Sequence, residues 1–194
     1  MPTGEELVAL LGRTLDQTGD VIANVKPDQA SHATPCASFD VRELLNHIVY
    51  DARMFADTTE GKPRPPADQD LIGDDWAGAY DAAATGLLAV WQQPGATEGT
   101  ISIPQGELPK TWRLGQQIAD FAVHAWDVAK ATGQPSELDP DVGQFALDWG
   151  RENLKPEFRG DEGSGKTFGP EVPVPEEAML YDRLAGFFGR DPSA

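Results

Sequence analysis

The sequence predicts a mainly all-α protein: an up-down four-helix bundle with a small hairpin and extra C-terminal helices. Three observations carry that prediction. Four segments repeat their apolar residues at helical spacing over lengths well beyond an ordinary strand. Two of them open on capping boxes, in which a Thr or Asp side chain accepts an orphan backbone amide and a Glu three residues on reaches back. The alternation a strand needs is confined to TISIPQGEL, Thr100 to Leu108.

The first helix starts at the Thr3/Glu6 box and carries Leu7, Leu11, Leu15, Ile22 and Val25 towards Lys26-Pro27, where proline ends it; Gly19 weakens its middle. The second begins at ASFDVRELL, with Asp40 as cap, Glu43 completing the box and Phe39 placed to staple onto Leu44. Its stripe is Val41, Leu44, Leu45, Ile48, Ala52 and Phe55, and the Pro-rich GKPRPPADQD follows it. Trp76, Tyr80, Ala83, Leu87 and Trp91 give a third helix closed by Pro94-Gly95. After a small hairpin or extended arm turning at Pro104-Gln105-Gly106, a fourth helix runs from about Thr111 to Ala131. It buries Leu114, Ile118, Phe121, Ala125 and Val128 and has Gly133 as its C-cap.

Asp139-Pro140 opens a fifth helix with Val142, Phe145 and Trp149 inward. Lys155 to Pro175 reads as a long irregular loop, and a short last helix turns Leu180, Leu184 and Phe187 to the core before Gly189 stops it. Residues 1–134 are thus expected to form the bundle and residues 135–194 an extension packed on it, in one compact unit.

With 40% hydrophobic residues, five Trp and eight Phe, the chain can build a core, so its acidity is a solvated coat rather than a mark of disorder. Fifteen Lys+Arg against 32 Asp+Glu leave a net charge of −17, which repels phosphate backbones and anionic bilayers. No nucleic-acid or membrane partner is expected. The longest apolar runs, such as LVALL and LLAVW, fall far short of the roughly 20 residues that span a bilayer. A lone cysteine, Cys36, forms no internal disulfide, and Glu5 and Glu6 stand where a secretory signal needs positive charge; a cytoplasmic location is expected.

On the fourth helix, Gln117, Asp120, His124 and Asp127 form a polar row beside the core stripe, so the row faces a neighbouring helix. Asp120 and His124 are four apart and project together, able to share one metal ion, although such a pair is commonly an ordinary surface hydrogen bond. His47 flanks the core stripe of the second helix in the same way, with Asp51 one turn on to hold its tautomer. Of three histidines, two therefore lie beside core stripes of different helices, where bundle sites are assembled.

The segments TPCASFDVRELLNHIV (Thr34 to Val49), DFAVHAWDVAKATGQ (Asp120 to Gln134) and FGPEVPVPEEAMLYDRLAGFFGRDP (Phe168 to Pro192) resemble the metal-binding proteins related to mycothiol-dependent maleylpyruvate isomerase, of the DinB-like superfamily of four-helix bundles. The likeness covers nearly the whole chain. It implies that His47, Asp120 and His124 hold a divalent metal, zinc or nickel, with mycothiol or a similar small thiol as cosubstrate. One residue departs from the pattern: the acid is usually Glu in relatives and is the shorter Asp120 here, which bears on metal affinity and identity. Three protein ligands leave open positions, and a thiol bound to a dication loses its proton to become a nucleophile.

The implied activity is that of a metal-dependent thiol transferase or isomerase acting on a small electrophile, with Asp127, one turn beyond His124, as the candidate catalytic acid or base. A non-catalytic small-molecule or metal-binding module of the same fold is the alternative, and a homodimer stays open.

Other features have plainer readings. Gly160 to Thr167, GDEGSGKT, matches a phosphate-loop pattern, but FGPEVPVP follows it where a helix is needed and Asp161 and Glu162 would sit in the cradle, so it reads as a surface loop. Cys36 lies near a helix start that could lower its pKa, yet a small buried residue in the Pro35 turn is the simpler role. His32 is expected to be exposed, the tryptophans to be core, and Arg113 and Arg183 to be solvated or paired, with binding of an acidic substrate as their other reading.

Overall fold

The computed structural model describes residues 2–103, 106–160 and 168–193. Helices α1 (Gly4–Ala23), α2 (Val41–Thr59), α3 (Trp76–Trp91) and α4 (Lys110–Thr132) form the bundle, and α5 (Pro140–Asn153) and α6 (Leu180–Phe187) pack against it. Strands β1 (Thr100–Ile103) and β2 (Gly106–Pro109) pair antiparallel, Thr100 opposite Pro109. Pro104 and Gln105 of the expected turn and residues 161–167 of the phosphate-loop pattern lie outside the described residues. Among those residues no helix is long and apolar enough to cross a membrane.

Both expected capping boxes form, Thr3 with Glu6 and Asp40 with Glu43. Asp75 caps α3 through the Gly78 amide, Pro140 occupies the first turn of α5, and Gly133 closes α4 at φ 68°, a conformation glycine adopts without steric cost. The packing partners define the ring: α1 lies against α3 and α4, and α2 against the same two. Helices α1 and α2 thus sit on one diagonal and α3 and α4 on the other. Gly19 has a structural reason: the Tyr80 ring lies over it, so that an added Cβ would come within 3.2 Å of the ring, and the Tyr80 hydroxyl donates to Leu15 O at 2.9 Å.

The core is one cluster drawing on all six helices. The α2 and α4 stripes are buried throughout as expected, whereas the later elements shift by a residue or two. Phe145 is half-buried while Ala146 and Leu147 are fully inside; in α6, Leu180 and Phe187 are half-buried, and Tyr181, Leu184, Ala185 and Phe188 point in. The reason is tertiary: α5 and α6 lie on each other as well as on α4, so a broader arc than one stripe is covered. The 155–175 stretch holds a short 3-10 turn, Pro156–Phe158, and an isolated bridge from Arg159 to Phe168. Helix α4 is the axis of the molecule. From Phe121 to Ala129 every residue is buried, because α1, α2, α5 and α6 all contact it. Any polar side chain on that segment must find a partner inside the protein.

Candidate functional site

Two polar groups meet where α2 faces α4. Helix α2 supplies His47 and Asp51, one turn apart, with His47 Nε2 3.1 Å from Asp51 Oδ2. Helix α4 supplies Asp120 and His124 at the same spacing but in the reverse order, His124 Nε2 lying 3.9 Å from Asp120 Oδ1. The two imidazoles meet edge to face, their centroids 5.1 Å apart at 90°, and Phe39 stacks on the outer face of His47 at 4.8 Å. The residue placed to staple α2 thus also covers the histidine ring.

Burial governs the charges here. Desolvation, reinforced by His124, pulls the His47 pKa down to about 4, so its ring is neutral at pH 7 and has a lone pair to offer. Asp51 is pushed well above the carboxylate range, first by burial and then by the negative Asp120 it faces. Asp120 Oδ2 is buried with no donor. As two carboxylates neither acid can satisfy the other, and a shared proton or a cation is the physical remedy.

Behind His124 the arrangement is complete. His124 Nδ1 is 3.0 Å from Asp127 Oδ2, and Asp127, with no exposed surface, accepts from Arg190 Nη2 at 2.9 Å and Nε at 3.2 Å. Arg190 in turn donates through Nη1 to Phe188 O at 2.9 Å. Burial alone would raise Asp127, but Arg190 and His124 hold it below the ordinary value. Asp127, expected as the acid or base, is therefore placed on the far side of the His124 ring from Asp120 and its charge is taken up by Arg190. Cys36 lies beside Asp127: its Sγ, a His124 ring nitrogen and an Asp127 oxygen all fall within 4.8 Å of one another, the one trio of acidic, thiol and imidazole groups that does so among the described residues, and the four groups of the α2/α4 cluster contain no trio as tight. The Cys36 trio shares only His124 with the three expected ligands. Desolvation pushes the Cys36 thiol up to about 11 despite the nearby Arg190, the opposite of activation by a helix start.

A cavity of about 750 Å³ opens between α2 and the 64–70 segment, with His47 and Asp51 in its wall. Three side chains at four-residue steps along α2 strap that segment in place: Arg42 to Asp70 and Gly73 O, Asn46 to Gln69 O and the Leu71 amide, and Tyr50 to Pro65 O. Arg113 reaches the inner end of the polar cluster from α4, lying 4.8 Å over the Phe55 ring and donating to Gln116 at 2.6 Å. Arg183 is elsewhere, beside Arg151, Glu171 and Phe187. His32 is exposed and Gln117 is buried with Trp91 Nε1 donating to it at 2.8 Å.

The sequence reading missed Arg190. It follows Gly189 outside any helical period, and nothing local marks it as the partner of a residue 63 positions away. The Arg42, Asn46, Tyr50 row was readable as a polar flank of α2, though not what it ties down.

Residues 11–129 match the family model described as the mycothiol maleylpyruvate isomerase N-terminal domain. The chain belongs to this family. Relatives from two strains of Mycobacterium tuberculosis, both described as uncharacterised proteins, are each 34% identical over 178 residues, 92% of this chain and 94% of theirs. The crystal structure of the mycothiol-dependent maleylpyruvate isomerase shares the fold, with a TM-score of 0.65 at 14% identity over 81% of this chain and 71% of that one. In this member, the family-matched region carries α2 and α4 and hence all four residues of the α2/α4 polar cluster, while Arg190 lies beyond it.

Proposed function

We propose that this protein is a metal-dependent enzyme of the thiol-using isomerase or transferase type, with His47, Asp120 and His124 holding a divalent ion, zinc or nickel. The observation that supports this most is the buried Asp120 Oδ2, which has no donor and faces a second acid within reach of a neutral imidazole. An acid oxygen shut off from both water and donors is costly unless a cation or proton completes it. Family membership supports mycothiol or a similar small thiol as cosubstrate.

When bound, the ion would act as a Lewis acid that favours the thiolate form of a thiol at neutral pH. The protein's own residues do the rest. Asp127 fixes the His124 tautomer by accepting from Nδ1, leaving Nε2 as the ligating nitrogen, and Arg190 keeps Asp127 anionic and still. Asp127 is thus proposed as a positioning residue and not as the acid or base. The cavity brings a small electrophile against His47, with Asn46, Tyr50 and Arg64 in its walls. Its floor joins the polar cluster, so a substrate there sits beside the site without passing through the core.

Metal content of untagged protein, measured after equilibration with zinc or nickel and removal of excess, should be about one ion per chain, and His124→Ala should abolish it. A stoichiometry that stays near zero with excess metal at neutral pH overturns the proposal. If metal binds, conversion of an activated cis-alkene to its trans isomer in the presence of a small thiol should require it, the thiolate adding to one alkene carbon and leaving again after rotation, so that the thiol is regenerated.

A further inference from the structure

Helices α2 and α4 each present an acid and an imidazole one turn apart, in opposite order, to the same space. Three protein ligands use only three of these four groups. Asp51 would then be left as an orienting partner for His47, through the 3.1 Å contact to Nε2. That role explains one side of Asp51 only. On its other side it faces Asp120, an acid, where an orienting carboxylate would be served by a donor.

We propose that Asp51 is a fourth donor to the ion, so that His47 and Asp51 from α2 and Asp120 and His124 from α4 form a two-imidazole, two-carboxylate set. This rests on the metal-binding reading above and goes beyond it. Three features of the site support the assignment. The set is charge-balanced, two neutral rings and two carboxylates against a dication, whereas the three-ligand set leaves a buried acid over. Among the described residues no arginine makes an ion pair with Asp51 or Asp120, although Arg64 and Arg113 are near enough to act through space. The donor that would relieve Asp120 Oδ2 is therefore not supplied by a protein cation. Finally, Asp51 lines the cavity alongside His47, so a donor at that position is one that an incoming ligand can also reach. Two carboxylates with two imidazoles suit ions that accept five or six donors, which keeps a position free for a thiol.

The test compares Asp51→Asn, Asp51→Glu, His124→Ala and the unaltered protein, using cobalt(II) as probe and chelator competition to obtain the affinity. Circular dichroism confirms that each variant is folded. The expected result is that Asp51→Asn weakens cobalt(II) binding about 100-fold and shifts and weakens its visible bands, because a ligand atom has been exchanged for water, and that Asp51→Glu restores much of both. Weaker binding with an unchanged spectrum makes Asp51 an orienting partner of His47 and overturns the inference. Unchanged affinity and spectrum in Asp51→Asn, with binding lost in His124→Ala, overturns it too and leaves the three-ligand reading standing. Absence of binding in the unaltered protein removes the metal-binding reading itself, and the inference with it.

Discussion

The two sides of the His124 ring differ in kind. At Nδ1 every group is matched: Asp127 and Arg190 are both buried, joined by a forked contact and anchored to the Phe188 carbonyl. At Nε2 the matching is incomplete, although His47 Nε2 meets Asp51 at 3.1 Å. Asp120 keeps an oxygen without a donor, Asp51 is held away from its preferred charge state, and a cavity admits solvent up to His47. A fold that can complete one side of a ring so fully, and leaves the other incomplete a few ångströms away, separates structural from functional polarity. The closed side holds the fold and fixes a tautomer; the open side holds free energy in reserve for a ligand.

Arg190→Ala breaks the comparison hardest, because it strips the closed side of its cation and leaves Asp127 charged and buried. Removing one partner of a buried pair costs about 3–5 kcal/mol, and an altered orienting partner weakens a metal site about 10- to 100-fold. Urea unfolding should show that loss, and Arg190→Lys, which keeps the charge without the fork, should recover part of it. If the alanine variant unfolds like the unaltered protein, the closed side is not structural.

Much of this was legible in the sequence. The α2 and α4 stripes, both capping boxes and the Gly133 stop follow from periodicity and local hydrogen bonding, and those elements form as read. His47, Asp120 and His124 could be set beside core stripes because a helical wheel is a local construction. Roles that depend on distant chain could not be read. Asp127 looks the same on a wheel whether it faces substrate or Arg190, and Arg190 arrives from beyond α6. Cys36 differs: a small buried residue is the simpler reading of its sequence position, and burial does raise its thiol, but that Asp127 and Arg190 are its neighbours could not be read. The interior of α5 and α6 shifted because periodicity reports one covered face, and these helices are covered on more than one.

Asp51→Asn probes the open side through stability alone. Asp51 has its folded pKa raised above the ordinary 3.8, so its contribution is fully present below about pH 4 and is lost as pH rises through the folded value. At pH 7 the carboxyl therefore burdens the metal-free fold, and an amide, neutral and able to donate to Asp120, does not. The variant should be more stable than the unaltered metal-free protein by about 1–2 kcal/mol at pH 7, with the gap closing towards pH 4. Thermal melts across that range in the presence of chelator measure it. A destabilised variant at pH 7 would mean that the open side is satisfied after all.

The smallest effect belongs to Cys36, which sits on the closed side yet carries no charge there. Its thiol is raised from 9.0 to about 11 by burial, so it stays neutral in the folded chain over a window in which the unfolded chain ionises. Its contribution to stability is complete below pH 9 and is lost as pH rises towards 11. Tyrosines and lysines also titrate in this window, which makes the absolute curve uninformative. The difference between the unaltered protein and Cys36→Ala isolates the thiol, because every other group is common to both. Melting temperatures of the metal-free proteins should fall more steeply between pH 9 and 11 when the cysteine is present, and alkylation at pH 7.5 should be on the order of 100-fold slower than for a free thiol, the ratio two pKa units impose on the thiolate fraction. Parallel melting curves with fast alkylation would place Cys36 on the reactive, open side of the ring, and the division drawn at His124 would have to move to include it.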